Sequence, residues 1–273
     1  MTILAKLISL PISVILLVWM LRIKKDKPFP KSTVVVMIIG GFLSTIVASV
    51  GTILIALLDA MIKIGPSNLS ALFSNPELIH DESFLAEINE LAGPPSFLGV
   101  AFSTFIVVAL VEEGAKYLVM RTCLRKPGAM ECQMDAVVCG AIVGLVFQIL
   151  EDLMYADNGI ITAIFRAVTP YHFVFGAIMG YYYGKAAMTG RKSDRVKALL
   201  IPVLVHGLFD CSIQSLSLDD VYLLLTAVVF LFMCVLTVCM IVKIRKWSKN
   251  GTLSEPFHAP EAAEEKTEET ITE

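Results

Sequence analysis

Runs of apolar residues that are long enough to cross a lipid bilayer dominate the sequence. A membrane-spanning helix needs about 20 mostly apolar residues. The segments that meet this length are 3–23, 33–58, 97–120, 134–155, 161–187, 196–216 and 221–243. Polar connections separate each segment from the next. The pattern therefore predicts an all-α fold, a polytopic transmembrane helical bundle of about seven spans.

Composition narrows the class of protein further. Of the 273 residues, 56% are hydrophobic and 17% are charged, whereas soluble domains average about 45–50% apolar and about 25% charged residues. The net charge of −3 leaves no basic surface for phosphate groups, so we expect no nucleic-acid partner. The six cysteines show no CxxC spacing and indicate neither a zinc framework nor a disulfide ladder. A multi-pass protein of the cell membrane, with the lipid bilayer around it, fits this composition.

The connections between the spans alternate between many and few basic residues. Lysines and arginines crowd segments 22–31, 121–126, 185–197 and 243–249, and are sparse in 59–96, 156–166 and 217–220. Because basic loops are retained in the cytoplasm, the N-terminus is expected outside and the C-terminus inside. The basic cluster that follows the first span, including Arg22 and Lys24, indicates a retained helix rather than a cleaved signal peptide.

The chain is expected to form one transmembrane domain over residues 1–250, with its core at 97–216. The longest external connection, 59–96, contains apolar residues at helical spacing, so we expect a short amphipathic helix there; these residues are Phe84, Leu85, Ile88 and Leu91. Residues 251–273 are rich in acidic residues and lack periodicity. They are expected to form a disordered cytoplasmic tail.

Ionisable residues interrupt the apolar spans, and each costs about 2.5–3.5 kcal/mol to insert into hydrocarbon. The third to sixth spans contain Glu112, Glu113, Lys116, Glu151, Asp152, His172, His206 and Asp210. Such a set must face the protein interior or a wet cavity, where its members find partners. We therefore expect the chemistry of the protein to be concentrated in these four helices.

The first ionisable cluster consists of Glu112, Glu113 and Lys116. A position at the membrane interface is the alternative, but residues 97–111 would span only about 22 Å, short of the roughly 30 Å hydrocarbon core. Lys116 lies three and four residues from the glutamates and can neutralise one of them on a shared helix face. Adjacent carboxylates repel, so one is expected to hold a proton readily, as a general base for water activation does.

The second cluster is on the fourth span, where Gly140, Gly144 and Glu151 follow a heptad-like spacing. The glycines let a neighbouring helix approach closely, which directs Glu151 into the bundle. The alternative is that Glu151 extends towards the outer surface. Asp152 points to another side of the helix, and we expect it to be such an outer-surface acid.

Two histidines complete the set. His172 shares a helix face with Gly176 and Gly180, and either lines the site or is a packed histidine with a hydrogen-bonded neighbour. His206 and Asp210 are four residues apart, so the aspartate can hydrogen-bond the imidazole, or a metal can bind both. The estimated depths of His206, His172 and the glutamates in the membrane are similar, so these groups are expected to meet.

Three short motifs occur in order on separate spans: EExxK at Glu112 to Lys116, FxxxE at Phe147 to Glu151, and HxxxD at His206 to Asp210. This ordered set resembles the PrsW family of intramembrane proteases, relatives of the CAAX prenyl protease and Abi group. The resemblance implies hydrolysis of a peptide bond in a membrane-spanning regulator such as an anti-sigma factor, in a stress-signalling cascade. It also implies that the glutamates activate water and that His206 supports the site.

The chain departs from the CAAX relatives at two positions. Glu151 stands where they have a histidine, and Lys116 stands in place of the arginine of their first motif, one position closer. A prenylated protein substrate is therefore not expected. The candidate catalytic residues of this chain are Glu112, Glu113, Lys116, Glu151, His206 and Asp210.

The hypothesis for the mechanism has two forms. In one, Glu112 or Glu113 deprotonates water, and His206, oriented by Asp210, stabilises the oxyanion or protonates the leaving amine. In the other, a divalent metal, expected to be zinc, binds among His172, His206 and Glu113, although the chain has no HExxH spacing. The rival functions are a proton- or ion-coupled transporter that uses the same groups and a non-catalytic receptor or assembly partner.

Overall fold

The computed structural model describes residues 2–24, 28–94, 96–155 and 159–256. Its α-helices are α1 Thr2–Arg22, α2 Lys31–Ser74, α3 Glu82–Ala92, α4 Phe97–Phe102, α5 Leu110–Leu124, α6 Gln133–Tyr155, α7 Ile160–Val168, α8 Tyr171–Thr189, α9 Lys192–Gln214 and α10 Leu223–Asn250. Seven helical segments within the described residues are long and apolar enough to span a membrane, which confirms the predicted helical bundle and the number of spans. The orientation of the termini stays a prediction.

The second span is longer than the sequence pattern predicts. Helix α2 passes position 58 and continues to Ser74, with a kink at Gly65, whose φ of 81° suits a residue without a side chain. A 3-10 helix, Pro76–His80, follows. The expected amphipathic helix is confirmed as α3, whose first turn is capped by Asp81. Much of the predicted external connection is therefore helical.

Two other spans contain breaks that the sequence analysis missed. A π-helical segment, Ser103–Ala109, lies between α4 and α5. The fifth predicted span is two helices rather than one, because α7 ends at Val168 and α8 begins at Tyr171. The cause is Pro170, which lacks a backbone N–H and disfavours helical geometry at the residue before it.

Helices α6 and α8 form the centre of the bundle and pack through glycines. A Cβ atom added to Gly140 would lie 2.1 Å from the carbonyl oxygen of Gly176, and one added to Gly180 would lie 2.0 Å from that of Ala136. Only glycine permits such close backbone contact, as the glycine spacing predicts. Helix α9 packs on α8, α5 packs on α2 and α6, and α1 and α2 cover α6.

The outer helices present one buried face and otherwise expose apolar side chains. In α10 the buried residues form one stripe: Val229, Met233, Thr237, Met240 and Ile244. An ion pair between Lys24 and Asp135 joins the end of α1 to the start of α6. Residues 251–256 fold back on the turn before α6, where the Leu253 carbonyl accepts the N–H of Met134 at 2.9 Å. The rest of the predicted disordered tail, 257–273, lies outside the described residues.

Candidate active site and metal centre

The side chain of Glu113 lies at the centre of the polar cluster. It projects from α5 and is completely buried. Its Oε1 atom accepts a hydrogen bond from Lys116 Nζ at 2.7 Å and lies 3.0 Å from His206 Nδ1 on α9. The other ring nitrogen of His206 lies 3.2 Å from Asp210 Oδ2. The spans that carry the first and third motifs therefore meet, with His206 between two carboxylates.

His172 joins the cluster from the first turn of α8. Its Nδ1 atom lies 2.7 Å from Lys116 Nζ and 3.6 Å from Glu113 Oε1. Its Nε2 atom lies 2.7 Å from Glu151 Oε2 on α6. The imidazole borders the cluster and is also a buried histidine that is hydrogen-bonded on both sides, so its position matches both of the roles that were left open.

Glu112 is the member of the cluster whose charge is least satisfied by neighbours. Its Oε2 atom is 3.6 Å from Lys116 Nζ, 3.9 Å from His172 Nε2 and 4.0 Å from His206 Nε2. No hydrogen bond reaches this buried atom within the described residues. The Glu112 side chain keeps 13% exposure and that of Asp210 keeps 21%. These two residues are therefore the part of the cluster that lies nearest the surface of the bundle.

Four of these side chains have the chemistry of a metal site. Glu112, Glu113, His172 and His206 each offer one ligand-type atom, and the four atoms lie within 4.8 Å of one another. Carboxylate oxygens and imidazole nitrogens are common zinc ligands. The Oε2 atoms of Glu112 and Glu113 are buried without a hydrogen-bond partner, and a bound cation would satisfy them. The residues therefore fit a divalent ion, and the group adds Glu112 to the three ligands expected from the sequence.

The backbone around the site explains how these side chains come together. A Cβ atom added to Gly144 would lie 2.0 Å from the carbonyl oxygen of His172, so α6 touches α8 at the histidine itself. On the other side, a Cβ added to Gly207 would lie 2.4 Å from the ring of Phe105 in the π-helical segment. Close contact at both glycines brings α8 and α9 against the helices that carry the glutamates. Lys116 Nζ also lies 3.8 Å from the ring centre of Phe147, the first residue of the FxxxE motif.

Asp152 corrects one expectation. We expected an outer-surface acid, but its side chain is fully buried. Its Oδ1 atom accepts hydrogen bonds from Gln148 Nε2 at 2.8 Å and Arg166 Nε at 2.7 Å, and its Oδ2 atom accepts one from Ser13 Oγ at 3.2 Å. A carboxylate with three donors can be buried without an unpaired charge, so this face of α6 is protein-facing.

Arg166 is the residue that the sequence analysis missed. It falls where the predicted connection 156–166 overlaps the predicted span 161–187 and was given no role, whereas in the structure it lies in α7 and binds both Glu151 and Asp152. The available signal was its isolation, because the sequence has no other arginine and no lysine between Gln133 and Gly184. Gln148 was also missed, and its Oε1 atom accepts the backbone N–H of His172 at 3.2 Å.

Comparisons with known proteins identify one family. The profile of the PrsW family intramembrane metalloproteases matches residues 29–238. Protease PrsW of Bacillus subtilis (strain 168) is 33% identical over 141 residues, which cover 49% of this chain and 64% of that protein. Protease PrsW of Clostridioides difficile (strain 630) is 31% identical over 140 residues, which cover 47% of this chain and 58% of that protein.

A third relative, Protease PrsW of Halalkalibacterium halodurans, is 32% identical over 147 residues, covering 52% of this chain and 65% of that protein. The chain thus spans less than two thirds of the length of these three curated relatives. No solved structure matches the chain. With its seven candidate spans, the chain is a multi-pass protein of the cell membrane. Because the family profile covers more than half of its length, the chain belongs to the PrsW family of intramembrane metalloproteases.

Proposed function

We propose that the protein hydrolyses a peptide bond of a membrane-spanning protein substrate. The observation that carries this proposal is the convergence of Glu112, Glu113, His172 and His206, which bring four ligand-type atoms within 4.8 Å of one another inside the bundle. Apolar helices surround this cluster. Hydrolysis next to lipid needs a general base, a group for the oxyanion and a source of water, and the cluster offers candidates for each.

Glu112 is the general base in this proposal. A base must be reached by water and must have an oxygen free to take a proton. The Glu112 side chain keeps 13% exposure, and its Oε2 atom has no hydrogen-bond partner among the described residues. Glu113 is fully buried, and its Oε1 atom already contacts Lys116 and His206. Its role is to hold these two groups in place.

His206 acts on the other side of the reacting carbonyl. Its contact with Asp210 Oδ2 at 3.2 Å fixes the ring orientation and stabilises the charged imidazolium. To donate a hydrogen bond to the oxyanion or a proton to the leaving amine, the ring must exchange its contact with Glu113 at Nδ1 for one with the substrate. Lys116 Nζ lies 2.7 Å from Glu113 and 3.6 Å from Glu112, where an ammonium group limits the repulsion between the two carboxylates.

The same residues would hold a divalent ion, with Glu112, Glu113, His172 and His206 as the candidate ligands. Such an ion, zinc in this proposal, supplies Lewis-acid chemistry that polarises a carbonyl and makes water easier to deprotonate. Both histidines also have a carboxylate, Glu151 or Asp210, beside Nε2. Metal-ligating histidines usually have a partner of this kind, which fixes the tautomer and the ring orientation.

The proposed substrate class is a membrane-spanning regulator such as an anti-sigma factor, cut in a stress-signalling cascade. It rests on the resemblance of the three sequence motifs to the PrsW family. The relation to the CAAX prenyl protease and Abi group is part of the same proposal. Lys116 and Glu151, which differ from the residues of the CAAX motifs, argue against a prenylated substrate.

The test is cleavage of a single-span candidate substrate by purified protein in proteoliposomes. We expect Glu112→Gln and His206→Ala to lower the cleavage rate by about 100-fold or more, since general acid–base groups contribute about 10²–10⁴-fold. Leu118→Ala, at a lipid-exposed position of the same helix, is the matched control and should cleave normally. Full cleavage by both site variants would end the proposal. Ion flux that follows a pH gradient without proteolysis would favour a transporter.

Metal analysis separates the two forms of the mechanism. We expect the purified protein to contain a stoichiometric divalent ion, and a strong chelator to remove both the ion and the cleavage activity. Glu113→Gln and His172→Ala should each lower the bound metal. A protein that contains no stoichiometric metal and stays active with the chelator would contradict the metal-dependent form, while leaving hydrolysis by a glutamate base standing.

A further inference from the structure

Arg166 connects the short helix α7 to the edge of the candidate site. Its Nη2 atom donates to Glu151 Oε2 at 2.9 Å, its Nε atom to Asp152 Oδ1 at 2.7 Å, and its Nη1 atom to the Tyr171 hydroxyl at 2.5 Å. The Arg166 side chain is only 11% exposed. A guanidinium that is nearly buried among apolar helices is costly unless its donors are satisfied, and these three partners satisfy donors on all three nitrogens.

One oxygen atom links this arginine to the site. Glu151 Oε2, which accepts from Arg166, also lies 2.7 Å from His172 Nε2. The opposite ring nitrogen of His172 faces Lys116 Nζ at 2.7 Å and Glu113 Oε1 at 3.6 Å. With Glu151 as acceptor, the hydrogen-bond pattern assigns the proton to Nε2 and leaves the lone pair of Nδ1 for the site.

The two carboxylates that bind Arg166 have different roles, as the contacts of Asp152 show. Asp152 holds the guanidinium through Nε and is itself held by Gln148 and by Ser13 of α1. It does not contact His172 in any hydrogen bond or ion pair found among the described residues. Glu151 therefore carries the connection from Arg166 to the imidazole, whereas Asp152 fixes where the guanidinium sits.

We propose that Arg166 is a positioning residue that acts through Glu151 on His172. By holding the Glu151 carboxylate against Nε2, it fixes the tautomer and the ring orientation, and so keeps Nδ1 directed at Glu113 and Lys116. Lysine can replace it only in part, because an ammonium group lacks the planar fork that reaches Glu151, Asp152 and Tyr171 together. The catalytic part of this inference rests on the proposed protease function; the structural part does not.

The first test needs no cleavage activity. The chain has four histidines, so the ¹⁵N-histidine spectrum of the full chain in detergent is assignable with single substitutions of His80, His172 and His206. We expect the wild type to show His172 with its proton fixed on Nε2, and Arg166→Gln to lose this fixed tautomer. An unchanged His172 signal in Arg166→Gln would overturn the inference, whatever reaction the protein catalyses.

The second test is a double-mutant cycle on cleavage of the single-span substrate. Arg166→Gln and Glu151→Gln are each expected to lower kcat by about 10–100-fold, as loss of a partner of a site histidine does, with KM within about twofold. The combined variant should be no slower than the slower single variant, because both act through one contact. Multiplied losses in the combined variant would overturn the inference. Arg166→Lys should recover only part of the rate.

Controls address loss of folding. Arg166→Gln leaves Asp152 buried with less compensation, so a second variant combines it with Asp152→Asn to remove the unpaired charge. Ser13→Ala removes a contact on the far side of Asp152 and should lower thermal stability slightly with kcat unchanged. A loss of kcat in Ser13→Ala as large as in Arg166→Gln would show a merely structural effect and overturn the positioning role. If the wild type does not cleave the substrate but its spectrum shows the fixed His172 tautomer, the proposed protease function is wrong and the positioning role of Arg166 stands.

Discussion

Helices α6 and α10 are both apolar and long enough to span a membrane, but they bury their surfaces very differently. In α6, 18 of 23 residues are buried, whereas in α10 only 5 of 28 are. Helix α6 meets α8 through glycine backbone contacts, and α10 contacts the bundle through one stripe of larger side chains. The difference shows what an ionisable group in a span needs, which is a helix face turned to the protein interior: α6 offers such a face almost all round, whereas α10 buries only one stripe of mainly apolar residues.

The close packing of α6 and α8 also fixes the position of a site residue. The tightest approaches between these helices include the contact of Gly144 with the carbonyl of His172. Moving α8 away from α6 therefore moves a site histidine. The outer helix α10 carries no residue of the cluster, so changes there are expected to alter stability without altering the geometry of the site.

The largest expected effect comes from a bulky residue in the glycine contact. Gly176→Leu places a Cβ atom 2.1 Å from the carbonyl oxygen of Gly140, and the two helices must separate. We expect no folded protein, measured as the loss of a monodisperse peak in size-exclusion chromatography in detergent. Gly114→Ala is the control, because nothing lies within 4 Å of its added Cβ. A well-folded Gly176→Leu protein would contradict the central role of this contact.

Smaller substitutions in the same helix contact distinguish a loss of stability from a loss of activity. Gly144→Ala and Gly180→Ala each place a methyl group 2.0 Å from a backbone carbonyl oxygen, of His172 and Ala136 respectively. Both should lose similar thermal stability, but Gly144→Ala should lose at least about tenfold more cleavage activity, because misplacement of about 1 Å can cost 10²-fold. Gly180 lies about two helical turns beyond His172. Equal activity losses would show that helix separation acts on the site from any position.

The outer helix provides the next comparison. Met233 is fully buried in the stripe of α10, and Val238 is 60% exposed to the lipid side. Met233→Ala should lower the free energy of unfolding by about 2 kcal/mol through the cavity it leaves. Val238→Ala should change it by less than about 0.5 kcal/mol. Thermal or denaturant unfolding in detergent measures both, and cleavage by the folded fraction should be normal for each. Equal destabilisation would mean that α10 has no defined buried face.

The smallest expected effect lies outside the spans. The Ser83 hydroxyl and the backbone N–H groups of Phe84 and Ser83 bind the Asp81 carboxylate and hold its pKa below the ordinary value of 3.8. This contribution to α3 is present above that value and is lost as the pH falls through the lowered pKa. We expect Asp81→Ala to speed hydrogen exchange in α3 at neutral pH, with no change in cleavage. Slower cleavage would link this helix to the site.

Much of the architecture follows from one-dimensional patterns. The lengths of the apolar runs predict the spans, and the glycine spacing predicts that α6 is closely approached at Gly140 and Gly144. Depth along each helix places the glutamates and His206 at similar heights, and the structure brings Glu113 Oε1 within 3.0 Å of His206 Nδ1. The break at Pro170 was missed although the proline itself indicates it, whereas the partners of Arg166 depend on how α7 packs against the rest of the bundle.

The sequence by itself therefore determined which segments enter the membrane and which of them contain ionisable groups, because hydrocarbon penalises every unpaired polar group along the chain. Only the tertiary structure decided which groups pair. Each residue turns a helix by about 100°, so a π-helical segment or a kink reorients every later side chain relative to its neighbours. Asp152 depends on tertiary packing in another way: nothing along α6 indicates a partner for it, whereas the packed helices bury it against Arg166 of α7.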